Sequence, residues 1–272
     1  MHTKNRLASG IAMAMAATSA ITSPIAVTSC APRGADDFAV DSVVIDRSWA
    51  MRNAMENDEM GGRSYYYAVV DYPQNSDTID YHELTDSVRM WISNQLMPAE
   101  SKPVMTRRVL EEAANIFFGE EGGNEWGANK SVMLRKVYED SEYLSYDASE
   151  YTFYGGAAHG MCNIYGATFK KADGHRLTWQ DVDGKSSLRE KVTESMRRER
   201  GYSTTGDLMN SLLFPDNKEN ALDDGTPALP LPKVDPWLTK DGWVFSYQPY
   251  EIMCWAEGAP ACRLPKEELR LN

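Results

Sequence analysis

Two short stretches hold the residues with the types and spacing for chemistry. In Tyr154-Gly155-Gly156-Ala157-Ala158-His159-Gly160, three glycines surround a histidine. Glycine allows a tight bend and close backbone approach, so the run places an imidazole at a bend between strands, where binding residues concentrate. In Asp241-Gly242-Trp243-Val244-Phe245-Ser246-Tyr247-Gln248-Pro249-Tyr250-Glu251-Ile252, a turn leads into a strand with Trp243, Phe245 and Tyr247 on one face. Trp243 and Phe245 read as core. Tyr247 and Tyr250 carry hydroxyls and read as partly exposed contact residues. Glu251 closes the strand and is the one carboxylate singled out as a possible acid or base. The candidate ligand-binding set is therefore Tyr154, His159, Tyr247, Tyr250 and Glu251.

Other chemistries find little support. Of the four histidines only His82, His159 and His175 lie beyond the leader, and none makes an i, i+4 pair with another. No metal site is expected. Asp181-Val182-Asp183-Gly184 begins like a calcium loop but lacks its distant glutamate. There is no G-x-S-x-G, S-x-x-K, G-x-G-x-x-G or Walker-type loop, so neither a serine nucleophile nor a phosphate-bound cofactor is expected. Cys162 lies three residues after His159, a spacing that points the two to opposite faces of a strand.

The N-terminus sets the compartment. A short basic start with Lys4 and Arg6 precedes an uncharged stretch from Ile11 to Val27, then Val27-Thr28-Ser29-Cys30. This pattern resembles a bacterial lipoprotein signal, with Cys30 as the lipidated first residue of the mature chain. The apolar run is shorter than the roughly 20 residues a membrane span needs. Expected localisation is the cell envelope, on the periplasmic or outer side of a bacterial membrane, held by the lipid. The net charge is −12, and it becomes more negative once Lys4 and Arg6 leave with the leader. That argues against nucleic acid and fits either solubility or a basic partner. In an oxidising compartment Cys162, Cys254 and Cys262 could form one bridge. A hairpin about Gly258 would pair Cys254 with Cys262; the alternative is Cys162 with Cys254.

Elements to position these residues follow from periodicity. Strands are expected at 40–49, 65–72, 132–140, 142–146, 150–154, 161–171, 243–247, around 250–255 and at 263–264. Helical stripes run through Val88, Trp91, Ile92 and Leu96, capped at Thr85 or Asp86, and through Val109, Leu110, Ala113, Ala114 and Phe117. Ser187 and Glu190 read as a capping box for a third helix, and a short fourth is expected at 207–214. Strands and helices come in blocks, which predicts an α+β fold with a largely antiparallel sheet packed with about four helices. The expected division is leader 1–29, tether 30–37, an N-terminal α+β subdomain 38–129 and a C-terminal α+β domain 130–272.

Beyond the two runs, Thr168-Phe169, Asp173-Gly174 and Leu177-Thr178-Trp179-Gln180-Asp181 recur in the same order in a known group. With them, the chain resembles a family of bacterial envelope domains of unknown function. That family includes the extracellular, lysozyme-binding part of an anti-sigma factor and the non-catalytic N-terminal portion of a peptidoglycan deacetylase. The likeness covers residues 130–270 well and 38–129 only in element order. This chain has two alanines before His159 where the family pattern has one. The resemblance implies an α+β fold without a catalytic centre, binding a basic protein such as lysozyme or a cell-wall glycan. Two alternatives stand beside it: a cell-wall hydrolase or deacetylase using His159 and Glu251, and a structural lipoprotein.

Overall fold

The computed structural model describes residues 38–50, 63–74, 81–120 and 126–272. The leader, Cys30 and the tether expected at 30–37 lie outside the described residues. β1 (Val40–Ala50) and β2 (Arg63–Pro73) pair antiparallel along their whole length. β2 then pairs in parallel with β3 (Ala128–Glu139), which α1 (His82–Leu96) and α2 (Val109–Glu120) make possible by carrying the chain back across the sheet. β4 (Tyr143–Tyr154) and β5 (Met161–Lys170) follow antiparallel, completing the order β1-β2-β3-β4-β5.

Alternation in β2 sorts its side chains. Tyr66, Ala68 and Val70 are buried under the helices, while Tyr65 and Tyr67 are exposed on the opposite face. The apolar stripes of α1 and α2 close this first core, with Trp91 set against Tyr146 and Phe169. α1 starts at His82, ahead of the expected caps, and Thr85 is buried within it. It stops where Pro98 forces Met97 into an extended conformation.

The second core is built on α3 (Lys185–Arg200), α4 (Thr205–Asn210) and a sheet in the order β6 (Trp237–Thr239), β7 (Gly242–Ser246), β8 (Ala261–Leu264). Leu188, Val192, Met196, Trp243, Phe245 and Tyr247 are among its buried members. The expected Ser187–Glu190 capping box is absent. Gly184 is the N-cap, and Ser187 instead donates its hydroxyl to the Gly184 carbonyl. A capping box does form at α4, between Thr204 and Asp207.

The architecture is α+β, with a mostly antiparallel five-stranded sheet, a three-stranded sheet and four α-helices among the described residues. The division expected at 129/130 runs through β3. The hydrophobic clusters separate later, between Phe169 and Leu177. Two strands expected at 142–146 and 150–154 are one, β4. The strand expected at 250–255 does not form, and a turn and a short 3-10 segment (Trp255–Glu257) stand there. Contacts fasten the two cores together. Trp237 lies against Gly166, and the Leu238 N–H donates to Thr168 Oγ1. Lys266 bonds Asp140 at 2.6 Å and lies over the Tyr143 ring.

An aromatic ledge and a polar clamp

The bend at 154–160 joins β4 to β5. Tyr154 ends β4 opposite Ala128 and is 40 % exposed. The Gly155 N–H donates to the Gly127 carbonyl at 2.8 Å, and a Cβ on Gly155 would lie 2.0 Å from the Trp126 carbonyl oxygen. A Cβ on Gly160 would strike the Tyr151 ring at 2.4 Å. These two glycines are therefore required by close approach, and they fix where His159 emerges.

His159 is pinned on three sides. Its Nδ1 lies 3.1 Å from the Gly160 carbonyl and its Nε2 lies 3.1 Å from the Tyr250 hydroxyl. A carbonyl only accepts, so Nδ1 donates to it; in the tautomer with the proton on Nδ1, the Tyr250 hydroxyl donates to Nε2. The imidazole also stacks on Trp255, with centroids 4.2 Å apart and planes 25° from parallel. Trp255 Nε1 donates to the same Gly160 carbonyl at 2.9 Å. Tyr250 reaches this position with φ 67°, the only positive value for a non-glycine among the described residues. An aromatic residue there costs on the order of 1–2 kcal/mol, held by its surroundings. Tyr250 is 48 % exposed and Trp255 37 %. The result is a fixed ledge of rings on which Tyr250 and Trp255 stay exposed.

Tyr247, Gln248 and Glu251 do something else. Tyr247, expected partly exposed, is wholly buried and donates its hydroxyl to the Pro230 carbonyl at 2.6 Å. Burial, with Cys262 and Glu251 nearby, pushes its ionisation far above the usual tyrosine range. Glu251 accepts the Lys233 N–H at 2.7 Å on one oxygen and the Gln248 N–H at 2.8 Å on the other. The Gln248 amide meets Ile164 of β5 twice, accepting its N–H at 3.1 Å and donating to its carbonyl at 2.6 Å. Glu251 is thus a clamp on a turn that docks the second core onto the edge of β5. Sequence reasoning missed Trp255 as a member of the ledge. A tryptophan between Cys254 and the polar, glycine-containing run Ala256-Glu257-Gly258 was the available signal.

The cysteines depart from expectation. Cys162, Cys254 and Cys262 are all free thiols. Cys262 sits on β8 opposite Phe245, buried, with Sγ 3.5 Å from the Val192 carbonyl, while Cys254 is exposed before the 3-10 segment. β8 pairs with β7 instead of folding back on 250–255, so the hairpin that would join Cys254 to Cys262 is missing. Burial pushes the Cys262 thiol up to about 12, with Glu199 adding to it.

Several other acids and bases have structural partners. Asp181 accepts from the Thr178 N–H and lies 2.7 Å from His175 Nε2. Arg197 pairs with Glu194 and also donates to the Tyr202 and Ser203 carbonyls beyond the helix end. Among the described residues, no group of three His, Cys, Asp or Glu is placed to hold a metal ion. No helix among them is long and apolar enough to cross a membrane.

No protein-family model matches the chain, and no curated protein matches it. In fold it is similar to a DUF3298 family member from Bacteroides fragilis NCTC 9343, with a TM-score of 0.61 at 17 % identity over 86 % of this chain and 94 % of that one. It is also similar to a DUF3298 family protein from Pseudomonas aeruginosa PAO1, with a TM-score of 0.54 at 13 % identity over 87 % of this chain and 97 % of that one. The likeness is therefore one of fold, to bacterial domains of unknown function.

Proposed function

We propose that this protein is a lipid-anchored binding domain of the bacterial cell envelope, without catalysis, and that it holds a cell-wall glycan on the ledge of His159, Tyr250 and Trp255. The observation that carries the reading is the ledge itself. Its rings are locked by hydrogen bonds to one another and to Gly160, yet Tyr250 and Trp255 stay exposed. A sugar ring has an apolar C–H face and a hydroxylated rim, which suits flat aromatic surfaces with polar edges. Preorganisation lowers the entropy lost on binding. The anchor rests on the leader pattern ending at Cys30, and the partner class accords with the resemblance to envelope domains.

The hydrolase or deacetylase alternative fares worse on geometry. It needs His159 and Glu251 as an acid–base pair. Both Glu251 oxygens already accept backbone N–H bonds, and both His159 nitrogens are engaged. A basic protein such as lysozyme remains the second reading, favoured by the net charge of −12.

Retention of the detergent-solubilised full chain on purified peptidoglycan and on immobilised lysozyme tests these readings. Binding to peptidoglycan that persists in high salt supports the glycan reading. Salt-sensitive binding to lysozyme alone transfers support to the basic protein. Retention on neither leaves the structural lipoprotein and removes the proposal.

A further inference from the structure

Along the central stretch of the β5 edge, Gly166 is the outward residue with neither backbone group paired among the described residues. In an antiparallel pair, alternate residues point their N–H and C=O away from the partner strand. On β5 these outward residues include Ile164, Gly166 and Thr168. The Gln248 side chain occupies both groups of Ile164. The Leu177 N–H occupies the Thr168 carbonyl at 2.8 Å, and the Lys170 N–H beyond it donates to His175. Gly166 lies between, opposite Asp147 on β4, and no group among the described residues pairs with its outward N–H and C=O. Trp237 covers its other side so closely that a Cβ would sit 2.2 Å from the indole.

Gly166 is buried, and it lines a groove of about 350 Å³, within the ~300–1,000 Å³ of small-molecule sites. Trp91 and Tyr165 supply apolar walls, and Arg176, Lys233 and Asp235 supply charge. Asp235 is already committed, accepting the Trp179 N–H at 2.8 Å and pairing with Arg176 at 3.5 Å. Lys233 is exposed, and its ammonium makes no ion pair among the described residues. The groove therefore carries a positive excess, in a chain that is strongly acidic as a whole.

We propose that the groove binds the C-terminal residue of a short peptide. The N–H of that residue donates to the Gly166 carbonyl, and one oxygen of its carboxylate accepts the Gly166 N–H. The other oxygen faces Lys233 and Arg176. The gap explains why a chain end is required. Ile164 and Thr168 are about 13 Å apart along the strand; both groups of Ile164 and the Thr168 carbonyl are occupied, so a peptide can add one residue to this edge but cannot continue along it. This is strand addition limited to a single residue and closed by charge. It is separate from the aromatic ledge and stands whether or not the ledge binds glycan.

The test is an NMR titration of the ¹⁵N-labelled full chain with N-acetyl-Ala-Ala, following the Gly166 amide. The expected result is a saturable shift of that amide, with affinity falling about tenfold when the probe ends in a carboxamide. Lys233→Gln, at an exposed side chain, should weaken binding severalfold while the rest of the spectrum keeps its dispersion. Trp255→Ala should leave this affinity unchanged. An unmoved Gly166 amide at millimolar probe overturns the proposal, and so does equal affinity for the carboxylate and carboxamide forms.

Discussion

The turn at 247–251 and the ledge at His159, Tyr250 and Trp255 use the same kinds of side chain for opposite ends. In the turn, the polar tips of Tyr247, Gln248 and Glu251 all meet backbone groups: Tyr247 at Pro230, Gln248 at Ile164, Glu251 at Lys233 and Gln248. In the ledge, two of the three rings bond each other through side-chain atoms, and Tyr250 and Trp255 stay exposed although His159 stacks on one face of Trp255. What separates architecture from a binding surface here is where the polar atoms end up. Tyr247 and Tyr250 are three residues apart, and only the second is available to a partner.

The contrast can be broken most severely at Glu251. Glu251→Ala removes two charge-assisted bonds to backbone N–H groups and should cost about 3 kcal/mol. Thermal unfolding should then shift down by roughly 6–12 °C. A change under 2 °C would mean that the carboxylate is not the clamp. Gln248→Ala should cost about 2 kcal/mol, since it leaves both edge groups of Ile164 without protein partners. Faster hydrogen exchange at the Ile164 amide, without a general rise, would localise the loss to that contact.

A second carboxylate sharpens the comparison by sitting in the opposite environment. Asp147 on β4 is pushed up to about 6, by burial first and by Asp71 as well, against the opposing pull of Arg135. A raised pKa means that the folded state holds the proton more tightly. Stability is then full below about pH 4, falls as pH rises toward 6, and stays lower above it. Asp147→Asn should therefore gain about 1–2 kcal/mol at pH 8 and nothing at pH 4. Chemical denaturation of both proteins at the two pH values reads this directly, and an equal effect at both would contradict the assignment. Smallest in stability is Trp255→Ala, at about 1 kcal/mol or less for a ring already over a third exposed. Its effect belongs to binding.

Much of the fold was legible because it is written locally. Alternation in β2 and the stripes of α1 and α2 each bury one face, so periodicity alone finds them. The α+β class follows from the block order of these elements. The boundary within the chain was not legible, because β2 and β3 pair in parallel across two intervening helices and only that pairing shows them to be one sheet. The candidate site was half legible. His159 and Tyr250 were singled out and do meet, although they are 91 residues apart. Tyr247 was misplaced because its hydroxyl finds the Pro230 carbonyl inside the core, a partner no local pattern reveals. The strand expected after Pro249 fails because Tyr250 adopts a left-handed conformation, which glycine commonly signals and tyrosine does not.

The central claim is that the ledge binds and the turn supports. It is tested most directly by co-sedimentation of the full chain with purified peptidoglycan, comparing wild type, Trp255→Ala and Gln248→Ala at a temperature where all three are folded. The account predicts at least about a tenfold loss of affinity for Trp255→Ala and near wild-type binding for Gln248→Ala. Undiminished binding by Trp255→Ala, or a greater loss from Gln248→Ala, would contradict it.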